Sequence, residues 1–183
     1  GILYRLGHFD EAKSFIDWLL EKAKESLKTS GTRALYGISP DSIVQEEKLD
    51  HLEGYCGSKP VRIGNGASSQ LQLDIFGEVV LSFNVYRRYG GEISNDMWYV
   101  VSSFADVVCR VWNTPDRSIW EVRGKPRHFV YSKVMCWVAL DAALQISEAS
   151  GCNSPAKRWN DTANAIKKDI PSKGWNDKRK SFI

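Results

Sequence analysis

Apolar positions recur at helical spacing in five stretches, and the connections between them alternate between long and short. The first stretch predicts a helix from Asp10 to about Lys28, with Phe15, Trp18, Leu19, Ala23 and Leu27 on one face. Asp10 reads as its N-cap, Phe9 as a hydrophobic staple and Gly31 as its stop signal. The residues before it, Ile2 to Gly7, read as the last turn of another helix. A second helix is expected from about Ser69 to Tyr89, burying Leu73, Phe76, Val80 and Phe83, with Gly90-Gly91 ending it. Ser94 then caps a third helix to about Trp112, in which Trp98, Val101, Ala105, Val108 and Trp112 share a face. Ser132 is the expected cap of a fourth helix to about Ala149. Its stretch Val134 to Leu140 is apolar all round, which predicts burial on both faces. A fifth, amphipathic helix from about Pro155 to Ile170 carries Trp159, Ala163 and Ile166 on one side, and no closing element is expected after Gly174.

No run of strand length shows convincing alternation, so the expected fold class is all-α. Helical hairpins joined in this way suit a ring in which doubly buried helices form an inner layer and amphipathic ones an outer layer. The two long connections, Thr29 to Ser69 and Asn113 to Tyr131, would then meet at one end and build a site. Tyr36, Ile38, Leu52 and Tyr55 supply apolar groups to tie the first of them down.

Composition narrows the function classes. A chain of 183 residues with 43% hydrophobic and 26% charged residues is long enough for one folded core. Its net charge of +3 is spread along the chain, which argues against a nucleic-acid partner. No apolar run approaches a membrane span, and the three histidines are too far apart to hold a metal. Cys56, Cys109, Cys136 and Cys152 show no close pairing, so reduced thiols and a cytoplasmic protein are expected. Seven tryptophans suit either thick helix packing or flat surfaces for sugar rings.

Two polar loops carry the candidate chemistry. In the second, Trp120 stands directly before Glu121. A glutamate against an indole wall loses hydration, which holds its proton to higher pH and suits it to protonate a leaving oxygen. Taken alone, such a pair more often marks packing than catalysis. The first loop ends in Gly54-Tyr55-Cys56-Gly57-Ser58-Lys59-Pro60-Val61-Arg62-Ile63-Gly64-Asn65. Tyr55 offers a flat ring, while Lys59, Arg62 and Asn65 offer hydrogen bonds of the kind sugar hydroxyls need. The alternative for Arg62 is a structural ion pair, with Glu53 the acidic residue nearby in sequence.

That loop, followed by Gln72-Leu73-Asp74 and Gly77-Glu78-Val79, resembles the central part of glycoside hydrolase family 15, which contains glucoamylases, glucodextranases and microbial trehalases. Ile119-Trp120-Glu121-Val122-Arg123-Gly124, Arg127-His128-Phe129 and Ser132-Lys133 with Met135 to Asp141 extend the resemblance over nearly the whole chain. It implies an (α/α)6 toroid, with this chain, residues 1–183, as a partial catalytic domain truncated at both ends. It implies Glu121 as general acid and Arg62 as a substrate-binding residue, beside which Trp120, Tyr55 and Arg123 are the further substrate-binding candidates. The general base would lie outside the chain. A tryptophan of the fungal members corresponds to Cys56 here, and their second acidic residue after the general acid is replaced by Val122-Arg123.

The activity this implies is inverting, exo-acting hydrolysis of α-glucosides of glucoamylase type, on an α-glucan or oligosaccharide and without a cofactor. The alternatives are a trehalase of the same family, or a catalytically silent regulatory domain built on its fold. A ring cut open would expose apolar helix sides, so self-association or a longer native polypeptide is expected as well.

Overall fold

The structure is a computed structural model that describes residues 1–28, 34–36 and 45–182. Gly31 and Ile38 lie outside the described residues. Among these residues six α-helices carry the fold: α1 (Ile2–Arg5), α2 (Phe9–Lys28), α3 (Asp74–Arg88), α4 (Asn95–Val111), α5 (Val130–Ser150) and α6 (Ala156–Gly174). Two short antiparallel pairs join them, β1 (Glu47–Lys48) with β2 (Arg62–Ile63), and β3 (Trp175–Asn176) with β4 (Ser181–Phe182). The protein is therefore all-α apart from these pairs, which at two residues each are too short to show alternation. The second pair supplies the closing element that the sequence pattern did not predict.

The helices sort into two layers. Helices α3 and α5 run side by side in the same direction, since Gly77 packs on Met135 near their starts and Asn84 donates to Gln145 near their ends at 2.9 Å. Helix α5 also packs against α4 and α6, so it is covered on several sides, as its continuous apolar stretch requires. Val80, Phe83, Cys136, Ala139, Leu140 and Ile146 fill the space around it. Helices α2, α4 and α6 form the second layer. There Lys24 pairs with Asp96 at 2.5 Å, Arg158 pairs with Asp106, and the buried Trp159 indole donates to Asp106 at 2.8 Å. Alternating inner and outer helices of this kind fit an all-α segment of a helical toroid.

Gly77 is required where the inner helices meet. A Cβ there would collide with the Met135 carbonyl, so only hydrogen lets α3 approach α5 this closely. Helix α4 starts as its sequence predicts, with the Ser94 hydroxyl accepting from Met97 N–H at 3.2 Å. Helix α6 runs on to Gly174, with Pro171 inside its last turn.

Four expectations change. Helix α2 begins at Phe9, so Asp10 lies within its first turn and Phe9 is not a residue preceding the cap. Its buried side is Ala12, Ile16, Ala23 and Ser26, whereas Phe15 and Trp18 are exposed. Those rings stack on each other at 5.9 Å, and Trp18 meets Tyr36 edge-on at 5.7 Å. The aromatic stripe docks the first long loop instead of the core. Tyr36 does tie that loop down, also through a 3.0 Å hydrogen bond between its hydroxyl and that of Ser26. Leu52 and Tyr55 do not, since both are exposed. Finally, α5 begins at Val130 with Phe129 at the cap position, so Ser132 is a helical residue.

Candidate active site

Both long loops enter inner helices, the first leading into α3 and the second into α5. Because α3 and α5 run in the same direction, the loops meet at one end of the helical layers. Backbone and side-chain contacts fasten them together. Arg117 N–H donates to the Leu71 carbonyl at 3.0 Å. The buried Asp116 carboxylate accepts from Leu73 N–H at 3.0 Å and from the Ser132 hydroxyl at 2.8 Å. Asp116 also exchanges backbone hydrogen bonds with Arg127, both at 2.9 Å, which closes the second loop at its base. Ser132, expected as a helix cap, thus serves as a donor to this buried carboxylate.

Within that closed loop, residues 118–121 make a tight turn in which Glu121 N–H donates to the Ser118 carbonyl at 3.1 Å. Ser118 and Glu121 both hold left-handed backbone conformations, with φ of 54° and 51°. Non-glycine residues adopt this region at a cost of about 1 kcal/mol or more and are found there where the surroundings enforce it. The Arg117 guanidinium does so here, donating to the carbonyls of Val122 at 2.8 Å and Gly124 at 2.6 Å.

The first loop brings Asn65 and Glu46 to the same place. Gly64, at φ 68°, turns the chain after β2, and a Cβ on it would collide with the Gln45 carbonyl. Asn65 follows, and its side-chain nitrogen donates to Glu121 Oε2 at 3.1 Å. Arg123 binds Glu46 through both terminal nitrogens, at 2.9 and 2.6 Å. Arg62 Nε reaches the same carboxylate at 3.2 Å. The Arg123 hydrogen bonds hold the Glu46 carboxyl down at about 2 against some desolvation, with the Arg123 and Arg62 charges adding to the effect. The same pairing raises Arg123, and the charge of Glu121 contributes to that rise.

Of the residues singled out from sequence, Glu121, Arg123 and Arg62 are therefore together. The ion-pair partner of Arg62 is Glu46, not Glu53. Trp120 departs from expectation: its indole is 76% exposed and does not bury Glu121. Tyr55 stands 89% exposed on a single 3₁₀ turn, and its side chain makes no hydrogen bond, ion pair or ring contact among the described residues. The sequence reading missed Glu46, Asp116 and Arg117. Nothing in the local pattern marks Glu46, one acid of a Glu-Glu-Lys run. The others act through contacts to residues distant in sequence. Among the described residues no cluster of His, Cys, Asp and Glu could hold a metal ion, and no helix is long and apolar enough to cross a membrane. All four cysteines are free.

Alternating inner and outer helices with two loops fastened together at one end make this an all-α segment of a helical toroid. The profile described as Glycosyl hydrolases family 15 matches residues 1–183, and the chain belongs to that family. It is similar to the trehalase of Mycolicibacterium smegmatis, 40% identical over 176 residues that cover 94% of this chain and 26% of that protein. It is 38% identical over 173 residues to the trehalase of Mycobacterium tuberculosis, covering 94% of this chain and 25% of the relative. With the trehalase of Thermoplasma acidophilum it shares 35% identity over 181 residues, 99% of this chain and 30% of the relative. The chain thus spans about a quarter to a third of the length of these relatives. No solved structure gives a significant match.

Proposed function

We propose that this chain is the segment of an inverting trehalase that supplies the general acid, Glu121. Trehalose takes the place of the glucoamylase-type substrate expected from sequence. What favours it is that the relatives matching 94–99% of the chain are named trehalases. An α-glucan substrate has no comparable support.

The observation that carries the site is Glu121 itself, held at a loop tip in an enforced backbone conformation. In α,α-trehalose the bond to break joins two anomeric carbons through one oxygen. Glu121 protonates that oxygen as the C–O bond breaks. Water attacks the released anomeric carbon from the opposite face, and its proton passes to a second carboxylate. We place that base elsewhere in the polypeptide, in the portion of the relatives' length that this chain does not span. The products are one β-glucose and one α-glucose. Trp120 and Tyr55, both open to solvent, are proposed stacking faces for sugar rings. Arg62 engages Glu46 through Nε and, with no further partner among the described residues, offers its terminal nitrogens to sugar hydroxyls, whereas Arg123 is committed to Glu46 through both of its own. Four free thiols support a reducing compartment, and so the cytoplasm.

The test is to assay the full-length protein on trehalose, maltose and isomaltose, following the anomers by proton NMR. Trehalose turnover with initial release of equal α- and β-glucose is expected, and Glu121→Gln is expected to abolish it. Preference for maltose would return the assignment to a glucoamylase type, and undiminished turnover by Glu121→Gln would remove Glu121 as the acid.

A further inference from the structure

Among the described residues, Asn65 is the one side chain that hydrogen-bonds the Glu121 carboxylate, and its own orientation is determined. Its Oδ1 accepts from Ala67 N–H at 2.9 Å, capping the 3₁₀ turn Gly66–Ser69. A backbone N–H can meet only the oxygen of an amide, so the NH2 group must point the other way, toward Glu121 Oε2 at 3.1 Å. The amide cannot flip without setting its NH2 against the Ala67 N–H and its oxygen against the Glu121 carboxylate.

This geometry has a consequence for a carboxylic acid. A protonated carboxyl group has one hydroxyl oxygen and one carbonyl oxygen, and only the carbonyl oxygen is free to accept from an N–H that approaches in its plane. An amide donor on Oε2 therefore leaves the proton to Oε1. We propose that Asn65 is a positioning residue that reserves Oε2 of Glu121 as acceptor, so that the acidic proton sits on Oε1 and faces the glycosidic oxygen. This rests on the reading of Glu121 as the general acid.

The same contact gains strength during the reaction. As the proton leaves Oε1 for the glycosidic oxygen, negative charge develops on the carboxylate, and a hydrogen bond to an ionised acceptor is roughly twice as strong as one to a neutral acceptor. Asn65 thus stabilises the transition state more than the ground state, which raises kcat without tightening substrate binding. Among the described residues, the neighbouring charges lie on the two loops. Arg123 lies on its own loop and is neutralised by Glu46 from the first loop, which also takes Arg62. Lys125 and Arg127 on the second loop are exposed.

Two variants of the full-length protein separate this role from capping. Asn65→Ala removes both the cap and the donor. Asn65→Asp keeps an oxygen for Ala67 N–H and sets a carboxylate against Glu121. With trehalose as substrate, both are expected to lower kcat by about tenfold to a hundredfold with KM within about threefold of the parent. The Asp variant should also move the alkaline limb of the pH–kcat profile upward, by about one unit or more, because two adjacent carboxylates resist ionising together. An Asp variant with the parent's kcat and alkaline limb would reduce Asn65 to a cap and overturn the proposal. So would an Ala variant in which only KM rises. If Glu121→Gln is inactive while both Asn65 variants behave as the parent, this inference fails and the assignment of Glu121 stands. If Glu121→Gln remains active, that assignment fails first.

Discussion

Asp116 and Leu73 are 43 residues apart in sequence, yet the Asp116 carboxylate accepts the Leu73 N–H at 3.0 Å in a site closed to solvent. That N–H belongs to the residue preceding α3, so a side chain of the second loop caps an inner helix entered from the first. Loop position and helix start are therefore one structural unit.

Replacing Asp116 with alanine should strand the Leu73 N–H and the Ser132 hydroxyl without partners. Each buried orphan costs about 1–3 kcal/mol. The expected outcome is a loss of about 2–4 kcal/mol in urea denaturation of the full-length protein, together with reduced turnover, since the closed base of the Glu121 loop opens. Asp116→Asn retains one acceptor and should lose less.

Asp74, the first residue of α3, gives the protein a definite pH dependence. Burial, with the Asp116 and Glu78 charges adding, pushes its carboxyl from 3.8 to about 6. Between these values the folded state holds a proton that the unfolded chain has released. Stability from this group consequently falls as pH rises from about 4 to 6, and the full deficit is present at pH 7. Asp74→Asn should stabilise the protein at pH 7.5 by about 1–3 kcal/mol and leave it near the parent at pH 4. Urea midpoints at the two pH values check this, and an equal effect at both would show that charge is not the cause.

The contact between Gly77 and the Met135 carbonyl makes the inner layer intolerant of a single methyl group. Gly77→Ala must push α3 from α5 and is expected to cost about 1–3 kcal/mol, despite alanine's better helix propensity. A thermal melt that rises instead would show that the helices have room to separate.

Thiol reactivity should differ sharply between two cysteines. Cys56 is exposed, whereas Cys136 is fully buried and its thiol is pushed up to about 12, mainly by burial. In native protein at pH 8, iodoacetamide followed by peptide mass spectrometry should label Cys56 and leave Cys136 unmodified until denaturant is added.

The fold was legible where local pattern and burial coincide. Ser94 and the face Val101, Ala105 and Val108 of α4 read correctly because cap, periodicity and core all point one way. In α2 the heavy aromatics drew the predicted face toward Phe15 and Trp18. An outer helix there turns Ile16 and small residues such as Ala12 and Ala23 toward its neighbours, and puts its rings against the loop. Ser132 was misread because capping statistics are local, while its hydroxyl answers a buried carboxylate 16 residues away. In the same way, the motif around Glu121 stands out in sequence, but Glu46 and Arg117 act only through tertiary contacts that no spacing announces.

The wide exposure of Trp120 makes the molecule its own optical reporter. It is the most solvent-open of the seven indoles, and it adjoins Glu121, while Trp159 is sealed in the helical layers. Collisional quenchers such as iodide should therefore extinguish its emission most strongly, ahead of the less open Trp18 and Trp175. A sugar or a neighbouring stretch of polypeptide that settles on the loop should restore that light, so occupancy of this end of the fold can be followed without an added label.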